Sequence, residues 1–272
     1  MKKYSGYFLI TDLDGTLLNT NKEISPTNQK ALAEFTAQGG RFSVATGRSP
    51  ASAGRWLRQL PINFPCVFYN GSMVKDVVKD EILHCAYLQS SYALSIVLWI
   101  LKEHPKTIVE IFTDRGLFII SDPENKDPYL EDENDPYIQS CLTEVKDEQW
   151  IKILLCDDHA ALEEIRSYMD GRHLDEQCYY FYSQDFFLEI TPKNASKGTA
   201  LKWICSHCGE EDLKVIAAGD YDNDESMIRV ADFGVAIGSG RARLKAAADY
   251  ITVDNDHDPI ADILKEIDQR CQ

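Results

Sequence analysis

Basic residues are in short supply: 28 Lys and Arg stand against 44 Asp and Glu, a formal net charge of −16 over 272 residues. That balance disfavours gripping a phosphate backbone or an anionic membrane as the main task, so no nucleic-acid or membrane partner is expected. Long apolar runs are also missing. The stretch Leu94–Leu101, with Ser95 inside it, is less than half of the ~20 residues a spanning helix needs. The opening residues MKKYSGYFLITDLDG carry two lysines but no apolar core followed by small residues, so no signal peptide is expected and the cytoplasm is the expected compartment. A disulfide framework is not indicated, because eight cysteines (66, 85, 141, 156, 178, 205, 208, 271) are scattered through a long chain. Cys205-Ser-His-Cys208 has C-x-x-C spacing, but no second pair follows to complete a zinc site, and buried or idle thiols are expected there, with His207 alike. Repeats and low-complexity tracts are absent. The length suits about two domains, and 44% hydrophobic with 26% charged residues is ordinary globular composition.

What is present has a plan. Phe8-Leu9-Ile10-Thr11, Phe42-Ser43-Val44-Ala45 and Cys66-Val67-Phe68-Tyr69 read as short buried strands. Helices that start at Ser25-Pro26 and Ser49-Pro50 separate them, and Gly39-Gly40 closes the first. This βαβαβ order predicts a doubly wound, Rossmann-like parallel sheet. The last 80 or so residues read alike. Ser196 caps a helix to about Cys208, then come the strand Val215–Ala218, a helix around Ser226–Ala231, the strand Phe233–Ile237 and a closing helix after Pro259. Between the two ends the segments are longer and more charged. Ile108–Phe112 and Leu117–Ile120 flank Asp114-Arg115-Gly116 as a hairpin. A polar loop spans Ser121–Pro136. Ile151–Leu155, a helix through Leu162–Met169 and the aromatic run Tyr179–Tyr182 follow. The expected plan is an α/β core, residues 1–83 and 192–272, interrupted by an α+β insert at 84–191.

The acid is concentrated at strand ends. Asp12 and Asp14 are two apart at the end of the first strand, and they project together from the carboxyl end of the sheet, where open α/β sheets bind ligands. Two carboxylates so close imply a cation, a shared proton, or simply a solvated turn; the pair alone leaves these open. Gly219-Asp220-Tyr221-Asp222-Asn223-Asp224 repeats the arrangement after another strand. Hard Mg²⁺ prefers such oxygen ligands, although an acidic loop can equally be a helix cap. Thr46-Gly47 leads from a strand into a helix N-terminus suited to an anion. Lys197 stands in the first turn of a helix, against the dipole, which a phosphate partner explains and the dipole does not; taken singly, Thr46 and Lys197 equally suit ordinary exposed positions.

In order and form, Asp12-x-Asp14-Gly15-Thr16, Ala45-Thr46-Gly47-Arg48, Asn70-Gly71, Ser196-Lys197-Gly198-Thr199 and Gly219-Asp220-x-x-Asn223-Asp224-x-x-Met227 resemble the haloacid dehalogenase superfamily, most closely its Cof-like sugar-phosphate phosphatases. The segments Ala231–Gly238 and Ala246–Thr252 are similar to that branch's closing region; between them Ser239-Gly240-Arg241 departs from its usual Asn-Ala. The resemblance implies a Mg²⁺-dependent phosphatase acting on a small phosphate ester. Asp12 would be the nucleophile, forming an aspartyl-phosphate, and Asp14 the acid and base. Asp12, Asp220 and the Asp14 main-chain carbonyl would bind the metal, with Asp224 a further ligand or the group that holds Lys197. Thr46, Lys197 and Asn223 would bind phosphoryl oxygens, and Gly47, Arg48, Asn70 and Gly71 would line the pocket. The insert would be a specificity cap hinged near Glu81–Cys85 and Ile190–Lys193. Its aromatics Tyr179, Phe181, Phe186 and Phe187 would mostly pack its sheet, with substrate contact the alternative. Monomer and small homo-oligomer both remain open.

Three other readings compete. A phosphomutase shares the phosphoaspartate and would release an isomerised sugar phosphate in place of free phosphate. A receiver-type signalling domain needs neither Asp14 nor an insert. A non-catalytic sugar-phosphate sensor would bind without turnover.

Overall fold

In a computed structural model the protein is described over residues 2–125, 130, 136–208 and 213–270. Cys271 and much of the expected Ser121–Pro136 loop lie outside those residues. The strands run, in chain order, β1 Tyr7–Thr11, β2 Arg41–Val44, β3 Cys66–Phe68, β4 Met73–Asp76, β5 Glu81–Cys85, β6 Ile108–Thr113 and β7 Gly116–Ile119. They continue with β8 Tyr137–Gln139, β9 Trp150–Cys156, β10 Cys178–Gln184, β11 Phe187–Pro192, β12 Lys214–Gly219, β13 Phe233–Ala236 and β14 Tyr250–Ile251. The chain divides into two compact units, Met1–His84 with Ser196–Gln272, and Cys85–Ala195.

The first unit is built on a parallel sheet in the order β14-β13-β12-β1-β2. A single parallel bridge from Ala45 to Val67 sets β3 beside the end of β2. Strands covered on both faces read as continuous apolar runs, and Phe8, Leu9 and Ile10 of β1 have no exposed surface. From β1 the chain winds outward through β2, and its return winds the other way through β12, β13 and β14. The reversal lies between β1 and β12, so the loops after these two strands diverge and leave a crevice at their carboxyl ends. Serine caps fix the helices where the sequence places them. Ser25 Oγ accepts the Asn28 N–H before Pro26–Ala37, Ser49 Oγ accepts the Ser52 N–H before Pro50–Leu57, and Ser196 with Thr199 forms a capping box before Lys197–His207.

Three local expectations change. Tyr69 is not the end of a strand: it has φ 51 and opens a turn with Asn70 at φ 56. Helix after Asp220 is shorter than expected, a 3₁₀ turn Asp222–Asp224 followed by Glu225–Ile228. Strands β4 and β5, which join β3 in a second small sheet, carry no clear alternation in sequence.

The second unit is a sheet in the order β10-β11-β9-β6-β7-β8, antiparallel except for β7 with β8. The expected hairpin turns at Asp114-Arg115, with Thr113 paired to Gly116. Helices Ser90–Glu103 and His159–Asp170 join Val109, Ile111, Ile153, Leu155, Leu188 and Ile190 in one apolar cluster. Tyr180 and Tyr182 pack on that cluster, Phe187 is buried, and Tyr179 is exposed beneath the Lys193 ammonium. Cys205 and Cys208 pack against the core of the first unit. Among the described residues no helix is long and apolar enough to cross a membrane.

Ile10 lies in β1, between β12 and β2, with no exposed surface. Ile10→Ala is expected to lower the unfolding free energy by about 2–5 kcal/mol in urea titration.

Candidate active site

The loop after β1 begins by continuing the sheet: the Asp12 N–H donates to the Ala218 carbonyl at 2.9 Å. It then turns over the end of β12. Gly15, at φ 75, lies so close to Asp220 that a Cβ there would meet its Oδ2 at 2.5 Å, so the turn requires glycine for space as well as conformation. Thr16 closes the turn by donating its hydroxyl to Asp220 Oδ1 at 2.9 Å.

Lys197 enters from the first turn of its helix. Gly198 brings that turn against the Ser226 backbone, where a Cβ would stand 2.3 Å from the carbonyl oxygen. The Lys197 side chain has no exposed surface, and its Nζ donates to Asp12 Oδ1 at 2.5 Å and Asp224 Oδ1 at 2.6 Å. Asp224 Oδ2 accepts the N–H groups of Asp220 and Tyr221 at 2.9 and 3.1 Å. Both oxygens of Asp224 are therefore engaged in holding Lys197 and shaping the loop. Arg241 braces this loop: its N–H donates to the Asp220 carbonyl at 2.9 Å and its guanidinium lies 4.0 Å from the centre of the Tyr221 ring. The departure at Ser239-Gly240-Arg241 is thus a brace for the Asp220 loop.

Oxygens of Asp12, Asp220 and Asp224, one from each, lie within 4.8 Å of one another. Three carboxylate oxygens so gathered suit a hard divalent cation. The Asp14 carboxylate is not among them. It takes both prongs of the Arg48 guanidinium, at 2.7 and 2.9 Å, and the Lys22 ammonium at 2.6 Å. Lys22 carries no signal in the sequence, since a lysine in a polar turn is common.

Thr46 is buried, its hydroxyl accepts the Arg48 N–H at 3.1 Å, and its carbonyl accepts the Asn70 N–H at 3.1 Å. The Asn70 side-chain oxygen accepts Asn223 Nδ2 at 2.9 Å, with Gly47 close beside the same amide. Gly71, at φ 107, passes so near the Ser196 carbonyl that a Cβ would stand 2.1 Å from it. Four loops are therefore joined: Asp12 and Asp224 through Lys197, Asp14 through Arg48, Thr46 through Asn70, and Asn70 through Asn223.

Burial, together with the Asp224, Asp220 and Asp14 carboxylates, pushes Asp12 well above the usual range against the pull of Lys197. Burial lowers and the two carboxylates raise Lys197, and the carboxylates prevail, so it is a firm cation. Burial and Asp224 push Asp220 up to about 6. Asp14 goes the other way: burial raises it, but the hydrogen bonds and charges of Arg48 and Lys22 prevail and take it down to about 2. A crowd of carboxylates strained upward is the electrostatic signature of a place for a cation.

The model for haloacid dehalogenase-like hydrolases matches residues 9–264. The chain belongs to that family. It is 29% identical to a haloacid dehalogenase-like hydrolase from Bacteroides thetaiotaomicron, with a TM-score of 0.84 over 97% of this chain and 100% of that one. It is 26% identical to the Bacillus subtilis 5-amino-6-(5-phospho-D-ribitylamino)uracil phosphatase YitU, covering 96% of this chain and 97% of that protein. A similarity of 28% to the Arabidopsis thaliana chloroplastic endoribonuclease YBEY covers 94% of this chain but only 46% of that longer protein. As the motifs implied, this is a hydrolase with a Rossmann-like core of the Cof-like type.

Proton competition gives this site a pH signature. Burial and Asp224 push Asp220 up to about 6, so a cation bound through its carboxylate would have to displace a proton below that pH. The rise in melting temperature on adding Mg²⁺ is therefore expected to grow as pH increases through about 6 and to shrink below it. Without the cation the sign is reversed. Because the folded value exceeds the ordinary 3.8, ionising Asp220 between about pH 4 and 6 weakens the fold. A Mg²⁺ effect that is flat from about pH 5 to 7 would remove Asp220 from the ligand set.

Proposed function

We propose that this enzyme, a phosphatase of the haloacid dehalogenase-like family, hydrolyses a small phosphorylated metabolite of the sugar- or polyol-phosphate type through a phosphoaspartate at Asp12. The observation that carries the reading is the Asp12 carboxylate at the carboxyl end of β1, bonded to a buried lysine and gathered with Asp220 and Asp224. The polyol phosphate in the name of the Bacillus subtilis relative supports the substrate class. Residues 84–191 are read as the substrate-specificity domain, with the leaving-group contacts its task.

The donor set fits Mg²⁺, held by Asp12, Asp220 and the Asp14 main-chain carbonyl. Asp224 serves by fixing Lys197. Bound there, the cation would neutralise charge on the nucleophile and the phosphoryl oxygens. The remaining work falls to the chain. The Asp12 oxygen attacks phosphorus and the bond to the leaving alkoxide breaks. Lys197 orients Asp12 and shares its charge with the phosphoryl group, while the Thr46 hydroxyl and Asn223 amide bind the outer oxygens. Asp14 gives a proton to the departing alkoxide and is left as the carboxylate, a step it must enter protonated against the pull of Arg48 and Lys22. It then takes one from the water that attacks the phosphoaspartate, and free phosphate leaves. The ionised Asp14 held by Arg48 and Lys22 is the form this second step needs.

Purified protein with Mg²⁺ is expected to release inorganic phosphate from members of a panel of sugar and polyol phosphates, and Asp12→Asn to abolish release. No turnover across the panel rejects the phosphatase reading, and full activity in Asp12→Asn rejects this nucleophile. An isomerised sugar phosphate in place of free phosphate identifies a mutase.

A further inference from the structure

Lys22 stands in the turn that follows the first strand, and its backbone has φ 59, the left-handed region. For a residue with a side chain this conformation costs about 1–3 kcal/mol and persists only where the surroundings enforce it. Two sets of contacts enforce it. At the base, Asn19 Oδ1 accepts the N–H groups of Asn21 and Glu23 at 3.0 and 2.9 Å, and the Asn19 carbonyl accepts the Lys22 N–H at 2.9 Å. At the tip, the Trp56 indole N–H donates to the Lys22 carbonyl at 2.8 Å. Trp56 is only 3% exposed and lies in the helix Pro50–Leu57.

The same indole supports the other cation on Asp14. The Arg48 guanidinium carbon lies 4.6 Å from the Trp56 ring centre, and Arg48 Nη1 also donates to Ser52 Oγ at 3.0 Å, one helical turn before Trp56. One buried side chain therefore fixes the backbone of Lys22 through its N–H and backs Arg48 with its face. Both cations converge on the Asp14 carboxylate.

We propose that Trp56 and Lys22 are positioning residues for Asp14. Trp56 holds the Lys22 turn, and Lys22 with Arg48 keeps the Asp14 carboxylate in one orientation. This rests on the reading of Asp14 as the acid and base. Lys22 bonds to Asp14 and Trp56 to the Lys22 backbone, and neither is among the residues assigned to the phosphoryl oxygens, so the effect is expected on turnover and not on substrate binding.

Trp56→Phe keeps an aromatic ring in the helix but removes the N–H along with part of the indole, while Lys22→Met removes the ammonium and keeps the length of the stem. Each is expected to lower kcat by about three- to tenfold with KM changed by less than about twofold, the size of one lost hydrogen bond. Because both act on one contact, the double variant should be no slower than the slower single, and Lys22→Arg should restore most of the rate. Effects that multiply in the double variant, or a matching rise in KM, would overturn the proposal. A crystal structure of Trp56→Phe provides a test that does not depend on turnover. Lys22 Nζ is expected to lie beyond about 4 Å from the Asp14 carboxylate while the Arg48 fork remains, and a retained Lys22 contact overturns the proposal. If the unaltered enzyme hydrolyses nothing, the phosphatase reading fails, and this crystal structure alone decides whether Trp56 places Lys22.

Discussion

The site depends on a single buried cation. Lys197 has no solvent contact and is held between Asp12 and Asp224, and a charge in that position is stable only while both partners are present. Removing one partner from such a group typically costs about 3–5 kcal/mol. Much of the nearby structure keeps the arrangement intact. Gly198 lets the helix start approach Ser226, and the Asp220 and Tyr221 N–H groups occupy the second oxygen of Asp224. Gly219 lies so close to Asp224 that a Cβ would stand 2.4 Å from the Asp224 side chain. These are packing constraints with an electrostatic purpose: they hold the lysine between its two carboxylates.

Around that cation the carboxylates divide into two environments. Asp12 and Asp220 are crowded by like charges and burial, and each is pushed upward. Asp14, two residues from Asp12, is surrounded by cations and is pushed down. Two acids so close in sequence thus lie in opposite fields, set by the groups that surround each of them. The overall charge of −16 says nothing of this local arrangement, because two cations and one buried lysine decide it.

The residues legible in the sequence were those with a local reason to be where they are. Asp12 and Asp220 stand out because acid at the end of an apolar strand serves no packing role. Lys197 stands out because it opposes its own helix dipole, and the serine caps announce themselves by the residues that follow. Lys22 and Trp56 were not legible. Their contacts join residues 8 and 34 positions apart, and neither a lysine in a polar turn nor a tryptophan in a helix is locally unusual. The turn at Tyr69 was hidden for the opposite reason. An aromatic after an apolar strand favours more strand, but the turn there is held by distant partners, Thr46 and Asn223 on Asn70. Ser239-Gly240-Arg241 was visible as a departure, but its meaning as a brace for the Asp220 loop needed the fold.

The central strand of the core has a consequence for how the molecule is made. Thr11 pairs with Ala218, so about 200 residues must be added before β1 gains its second neighbour. At about 5–20 residues per second of synthesis, this strand waits ~10–40 s with one edge open. The strands of the second unit, by contrast, lie within one continuous stretch and can pair as soon as they emerge. Until residues 214–224 arrive, the Asp12 loop has no Asp220 to turn over and no Asp224 with which to share Lys197. The chemistry-bearing half of the fold is therefore the last to close, and its apolar β1 is the segment a nascent chain would most need to have shielded.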